Sequence, residues 1–127
     1  MTESSSRHVL LVEDDASLCR VVTRNLSSRG VDVRTATTVS DALRAIAESR
    51  PDLIVLDINL PDRSGWELLR VLHSRGIDIP TIVISAARCA PERLAEFQPL
   101  AYLPKPFPLD ALLRLVMPAM APAAPSN

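Results

Sequence analysis

The sequence predicts an α/β fold: a five-stranded parallel sheet covered on both faces by five helices. Three observations carry that expectation. Short apolar runs of strand length alternate with amphipathic segments of helical period along most of the chain. Several of those runs are apolar throughout rather than at alternate positions, as strands buried on both faces are. Glycine and proline punctuate the segment ends, at Gly30, Pro51, Gly76 and Pro118.

The elements follow in order. His8–Val12 is a continuous apolar run and reads as the first strand. A helix begins at Asp15 or Ala16 and runs to Arg29, with Leu18, Val21, Val22 and Leu26 on one face and Gly30 as its stop. Asp15 suits the N-cap better than a metal role. Val31–Arg34 alternates as a half-buried strand does. Val39, Ala42, Leu43 and Ile46 repeat at three- and four-residue spacing, so a helix precedes Pro51. Leu53–Leu56 is a second apolar strand, and Asp57–Arg63 a loop containing Pro61. Ser64 is suited to cap a helix with Leu68, Leu69 and Leu72 inward and Gly76 just past its end. Thr81–Ile84 is a further apolar strand. Ala90–Phe97 reads as a weak, short helix with Pro91 in its first turn. Leu100–Leu103 is a short strand, and Leu109, Leu112, Leu113 and Val116 mark a last helix, stopped at Pro118.

Bulk properties exclude several classes. With 14 basic and 15 acidic residues the formal charge is −1, which gives no overall attraction to nucleic acid or an anionic membrane. No apolar run approaches the length of a membrane span, and residues 1–7 lack the apolar stretch of a secretory signal. Cys19 and Cys89 stand far apart without metal-ligand spacing and read as two reduced thiols of a cytoplasmic protein.

The chemistry gathers where strands end. In an open α/β sheet the functional crevice lies outside the carboxyl ends of the strands. Glu13, Asp14 and Asp15 follow the first strand, Asp57 the third, Ser85 the fourth and Lys105 the fifth. Carboxylates brought together repel, by roughly 3 kcal/mol for two charges about 5 Å apart at an effective dielectric of 20. A hard divalent cation relieves that repulsion, and few-ligand oxygen sites suit Mg2+. Lys105 adds a compact positive charge and Ser85 a hydroxyl, the parts that stabilise a transferring phosphoryl group. A central carboxylate is then a candidate nucleophile, and Asp57 is that candidate because the third strand belongs in the middle of the sheet.

Val-Glu-Asp-Asp at 12–15, Leu-Asp-Ile-Asn-Leu-Pro at 56–61 with Gly65, Ile-Ser-Ala at 84–86 and Tyr-Leu-Pro-Lys-Pro-Phe at 102–107 together resemble a response-regulator receiver domain, of the single-domain, CheY-like type. Each motif alone is weak; four in the right order and at suitable separations are specific. The resemblance covers 8–117, leaving 1–7 as a disordered N-terminus and 118–127 as an Ala/Pro-rich tail. It implies a flavodoxin-like, doubly wound sheet in strand order 2-1-3-4-5. It implies that Asp57 accepts the phosphoryl group, that Asp14 binds Mg2+ directly and Glu13 through water, and that the Asn59 backbone carbonyl is a further ligand. It implies that Lys105 binds phosphate, that Ser85 is the switch hydroxyl and Tyr102 the switch aromatic, and that the Lys105–Pro106 bond is cis. The implied partners are a sensor histidine kinase or histidine phosphotransfer protein and a downstream protein target, with a phosphorylation-dependent homodimer open. No direct nucleic-acid or membrane contact is implied.

The sequence departs from the family pattern between Ser85 and Lys105, which is shorter than usual and has Gln98, Pro99 and Leu100 where Gly-Ala is customary. A short or irregular fourth helix is therefore expected, bracketed by Pro91 and Pro99. Ala87 offers nothing to orient an attacking water, so modest self-dephosphorylation is expected. Trp66 either contacts the site or covers it. His8 and His73 read as structural or surface residues, and Arg63, Arg88 and Arg93 as solvated charges. A phosphohydrolase of the haloacid-dehalogenase type is a rival, but it wants an acid where Asn59 stands and its acidic pair after the nucleophile, not before it. Two further alternatives are a phosphorylation-independent interaction module and the receiver fragment of a longer transcriptional regulator.

Overall fold

The computed structural model describes residues 7–121. The expectations for residues 1–6 and 122–127 lie outside the described residues. Five strands and five helices alternate: β1 (His8–Val12), α1 (Ala16–Ser27), β2 (Asp32–Ala36), α2 (Val39–Glu48), β3 (Leu53–Asp57), α3 (Gly65–Ser74), β4 (Thr81–Ser85), α4 (Pro91–Phe97), β5 (Ala101–Pro104) and α5 (Leu109–Met120). The strands form one parallel sheet in the order β2-β1-β3-β4-β5, so β1 and β3 are neighbours at its centre, with Val9 opposite Leu53 and Val12 opposite Leu56. The doubly wound, flavodoxin-like expectation holds.

The strand pleat explains why the central strands are apolar throughout. Successive side chains point to opposite faces, and each face has its own apolar layer. Leu10, Val12, Ile54, Leu56 and Val83 pack with Ala42 and Ile46 of α2, Leu68 and Leu72 of α3, and Phe97 of α4. Val9, Leu11, Leu53, Val55, Ile82 and Ile84 pack with Val22 and Leu26 of α1 and Leu112 and Val116 of α5. Among the described residues, no helix is long and apolar enough to cross a membrane.

Caps fall largely where the sequence places them. The Asp15 carboxylate accepts the Ser17 and Leu18 N–H groups at 2.9 and 3.2 Å, and Ser64 Oγ accepts the Trp66 N–H at 3.2 Å. Gly30 and Gly76 take the left-handed backbone that favours glycine after α1 and α3, at φ +83 and +69. Helix α4 has seven residues, about two turns, with Pro91 at its start and no side-chain cap. One expectation is corrected: the last helix does not stop at Pro118 but continues to Met120. Proline removes a single amide from the ladder, and Met120, 9% exposed, is buried in the α1/α5 layer and holds the final turn down. Strand β2 also begins and ends later than expected, because its pairing with β1 runs through to Val12 opposite Ala36.

Candidate functional site

The order of strands reverses direction at β1 and β3, and the carboxyl ends of these two strands open onto one crevice. Glu13 leaves β1 with its N–H donated to the Ala36 carbonyl at 2.9 Å, and its side chain is fully buried. Asp57 closes β3 opposite Ile84 and is 3% exposed. Asp14 is exposed, and one carboxylate oxygen each from Glu13, Asp14 and Asp57 lie within 4.8 Å of one another.

Lys105 comes to this cluster from the far side of the crevice. Its N–H donates to the Ser85 carbonyl at 2.8 Å, fastening the end of β5 to the end of β4, and the Lys105–Pro106 bond is cis. Its Nζ lies 2.7 Å from Glu13 Oε1 and donates to Asp57 Oδ2 at 3.2 Å. Glu13 Oε1 thus faces the Lys105 ammonium at close range, while Oε2 accepts the Asp15 N–H at 3.0 Å. The direct meeting of Glu13 with Lys105 is a feature that the residue pattern does not announce.

Electrostatics follow from burial and proximity. Burial pushes the Glu13 carboxyl above its ordinary value of 4.5, and the Asp57 charge adds to it, against the pull of Lys105 and the Asp15 N–H. Burial alone would lower Lys105, but its contacts with Glu13 and Asp57 outweigh it and hold the ammonium above its ordinary value. Cys19 donates its thiol to the Glu13 carbonyl at 3.4 Å. Burial and the three nearby carboxylates of residues 13–15 push that thiol up to about 11, which makes it an inert neighbour rather than a nucleophile. Cys19 and Cys89 are both free thiols.

Ser85 is 1% exposed at the end of β4, where its Oγ accepts the Ala87 N–H at 3.1 Å and keeps its own proton to donate. The Tyr102 hydroxyl donates to the Ala87 carbonyl at 3.3 Å, so both side chains grip the same residue of the β4–α4 connection. Asn59 sits in the loop after β3, exposed, with its N–H donated to Asp57 Oδ1 at 3.2 Å. The loop closes through a bridge between Asn59 and Ser64 and through the Gly65 N–H to the Ile58 carbonyl at 2.7 Å.

The structure therefore gathers Glu13, Asp14, Asp57 and Lys105 directly, with Ser85 and Asn59 alongside and Tyr102 one contact further out. Asp15 is turned to α1 as a cap. Trp66 turns to α4 instead, its ring stacked on that of Phe97 with centroids 5.6 Å apart. Arg63 and Arg93 pair with Glu67 and Glu96 on the surface, at 3.9 and 3.1 Å, and Arg88 is exposed. Sequence reasoning missed Asp62, which accepts N–H groups from the start of α2, because its partners lie more than twenty residues earlier in the chain.

The donor set fits a hard divalent cation. Three carboxylates converge, one of them exposed and so open to exchange with solvent.

Comparison with known proteins places this architecture. Residues 9–117 match the family described as the response regulator receiver domain. The response regulator MprA of Mycobacterium sp. (strain KMS) is 39% identical over 127 aligned residues, which take in 93% of this chain and 55% of the relative. The chain thus spans about half the length of that curated relative. The non-phosphorylated HemR receiver domain of Leptospira biflexa superposes with a TM-score of 0.82 at 31% identity, covering 96% of this chain and 100% of that one. The receiver domain of Francisella response regulator 1452 superposes with a TM-score of 0.78 at 29% identity, covering 90% and 97%. The chain belongs to the response regulator receiver domain family of two-component signalling.

Proposed function

We propose that this domain is a phosphoacceptor switch in which Asp57 takes a phosphoryl group from the phosphohistidine of a sensor histidine kinase or histidine phosphotransfer protein. The observation that carries this reading is the single ammonium of Lys105 held between the buried carboxylates of Asp57 and Glu13, beside Asp14. Asp14, Asp57 and the Asn59 backbone carbonyl would hold Mg2+, with Glu13 acting through water. Bound there, Mg2+ supplies positive charge that offsets the clustered carboxylates and the charge developing on the phosphoryl oxygens.

An Asp57 oxygen attacks phosphorus in line, the new O–P bond forming as the P–N bond breaks and the imidazole leaves with the electron pair. Lys105 moves from pairing the carboxylate to pairing a phosphoryl oxygen, and the Ser85 hydroxyl donates to another. Turning Ser85 away from the Ala87 N–H frees the β4–α4 connection, and Tyr102, which holds the Ala87 carbonyl, follows. That motion alters the surface of α4, β5 and α5 for a downstream protein or a second copy of the domain. Near-neutral charge supports protein partners over nucleic acid for this span, in the cytoplasm. Ala87 supports slow self-dephosphorylation.

Intact mass after exposure to acetyl phosphate, with and without Mg2+, tests the reading. Wild type is expected to gain one phosphoryl group only with Mg2+, and Asp57→Asn none; labelled phosphate on Asp57→Asn would overturn the assignment. No gain on wild type would favour a phosphorylation-independent interaction module. The extra length of MprA favours a further reading, in which this receiver regulates an output segment of a longer protein.

A further inference from the structure

Helix α2 is capped by two residues far apart in the chain. The first N–H groups of any helix lack partners within it. In α2 the Asp41 N–H is met locally by Thr38 Oγ1 at 3.0 Å. The two earlier ones go to Asp62, Val39 N–H to Oδ1 at 2.9 Å and Ser40 N–H to Oδ2 at 3.1 Å. The Arg63 N–H joins the same Oδ1 at 2.9 Å. Asp62 lies in the loop between β3 and α3 that starts at Asp57 and carries Asn59. The near part of that loop is folded on itself by the Asn59 N–H to Asp57 Oδ1, the Asn59–Ser64 bridge and the Gly65 N–H to the Ile58 carbonyl. Leu60 packs on the apolar layer below. Among the described residues, the hydrogen bonds that tie the tip of the loop to another element run through the two oxygens of Asp62.

We infer that Asp62 is a positioning residue of the phosphoacceptor site. It clamps the 57–65 loop to α2, and so sets Mg2+ affinity and the rate of phosphoryl uptake without touching either. The inference rests on the function proposed above. A loop already fixed in its working shape pays less ordering entropy when a cation binds, and outer partners of a metal site tune its affinity for that reason. The macrodipole of α2 favours the clamp, since an anionic side chain sits at its positive end.

The test compares Asp62→Ala, Asp62→Asn and Thr38→Ala in the full chain. Thr38→Ala removes the other cap of the same helix end and leaves the loop alone. The readouts are Mg2+ affinity by calorimetric titration, the rate of mass gain from acetyl phosphate at saturating Mg2+, and Tm. Asp62→Ala is expected to weaken Mg2+ binding a few-fold, short of the roughly tenfold that loss of a direct partner of a metal ligand brings, and to slow uptake even when Mg2+ saturates. Thr38→Ala is expected to lower Tm alone. Asp62→Asn, which keeps one accepting oxygen, is expected to fall between, and it carries the test if Asp62→Ala does not fold. An Asp62→Ala protein that matches Thr38→Ala, less stable but unchanged in Mg2+ affinity and uptake rate, overturns the inference while the parent function stands. A wild type that takes up neither Mg2+ nor a phosphoryl group overturns the parent function and this inference with it.

Discussion

At the scale of single residues, the site depends on a position with no side chain. A Cβ at Gly65 would lie 2.6 Å from the Asp57 carbonyl oxygen and 2.9 Å from the Ile58 Cα, both backbone atoms that a rotamer change does not clear. Gly65→Ala is therefore expected to cost about 1–3 kcal/mol, as overpacking in a close-packed site does. Urea unfolding would show a lower midpoint at unchanged slope. An unchanged midpoint would mean that the loop yields more easily than its three internal fastenings suggest. Gly65 is legible in the sequence as part of a motif, but its reason is not. The close approach exists only once the loop has folded back on β3.

Among the helices, α4 is the shortest and the least able to stand by its own residues. Seven residues without a side-chain cap fall well short of the roughly 12–15 that an isolated helix needs to be even marginal in water. It is held instead by Phe97, 8% exposed, which α3 surrounds: Trp66 stacks on the ring at 5.6 Å, His73 meets it edge-on at 5.3 Å and the Arg70 guanidinium lies 5.8 Å from its centroid. Phe97→Ala is expected to cost about 3–5 kcal/mol and to raise hydrogen exchange across Pro91–Phe97 ahead of the central strands. Protection in α4 that survives the substitution would show another anchor. Pro91 and Pro99 make the shortness of this helix readable from sequence. Its anchorage is not, because Trp66, Arg70 and His73 mark one face of a helix without saying that a residue two elements later lies on it. Local caps such as Asp15 and Ser64 can be read, whereas the Asp62 cap on α2 spans 23 residues and is invisible to any local pattern.

For the whole molecule, the sheet sets what reaches the crevice and charge balance sets what it costs. The strand-end rule brings Glu13, Asp14, Asp57, Ser85 and Lys105 to one rim from the sequence alone. Which atoms pair there is a matter of side-chain reach, and so the Glu13–Lys105 contact had to be seen. Lys105→Met would strand a fully buried Glu13, and breaking such a pair is expected to cost about 3 kcal/mol near neutral pH, the low end of the range because Lys105 itself is partly solvated. The sign of the pH dependence follows from the upward shift of Lys105. Its charged form is favoured in the folded state, so its contribution is fully present below the ordinary value of 10.5 and is lost as pH rises through the raised folded value. Urea melts of wild type and Lys105→Met should differ by a steady amount through the neutral range and converge on the alkaline side. A gap that persists there would assign the loss to packing of the lysine stem rather than to its charge.

The stacking of Trp66 on Phe97 also decides what light from this protein can report. Trp66 is the only tryptophan in the sequence, and its indole faces a phenyl ring of α4 rather than the carboxylates of the crevice. Its ultraviolet emission is accordingly an optical gauge of the seam between α3 and α4. Emission that stays constant while Asp57 is loaded says that the two helices travel as one body, and emission that shifts says that the seam has opened.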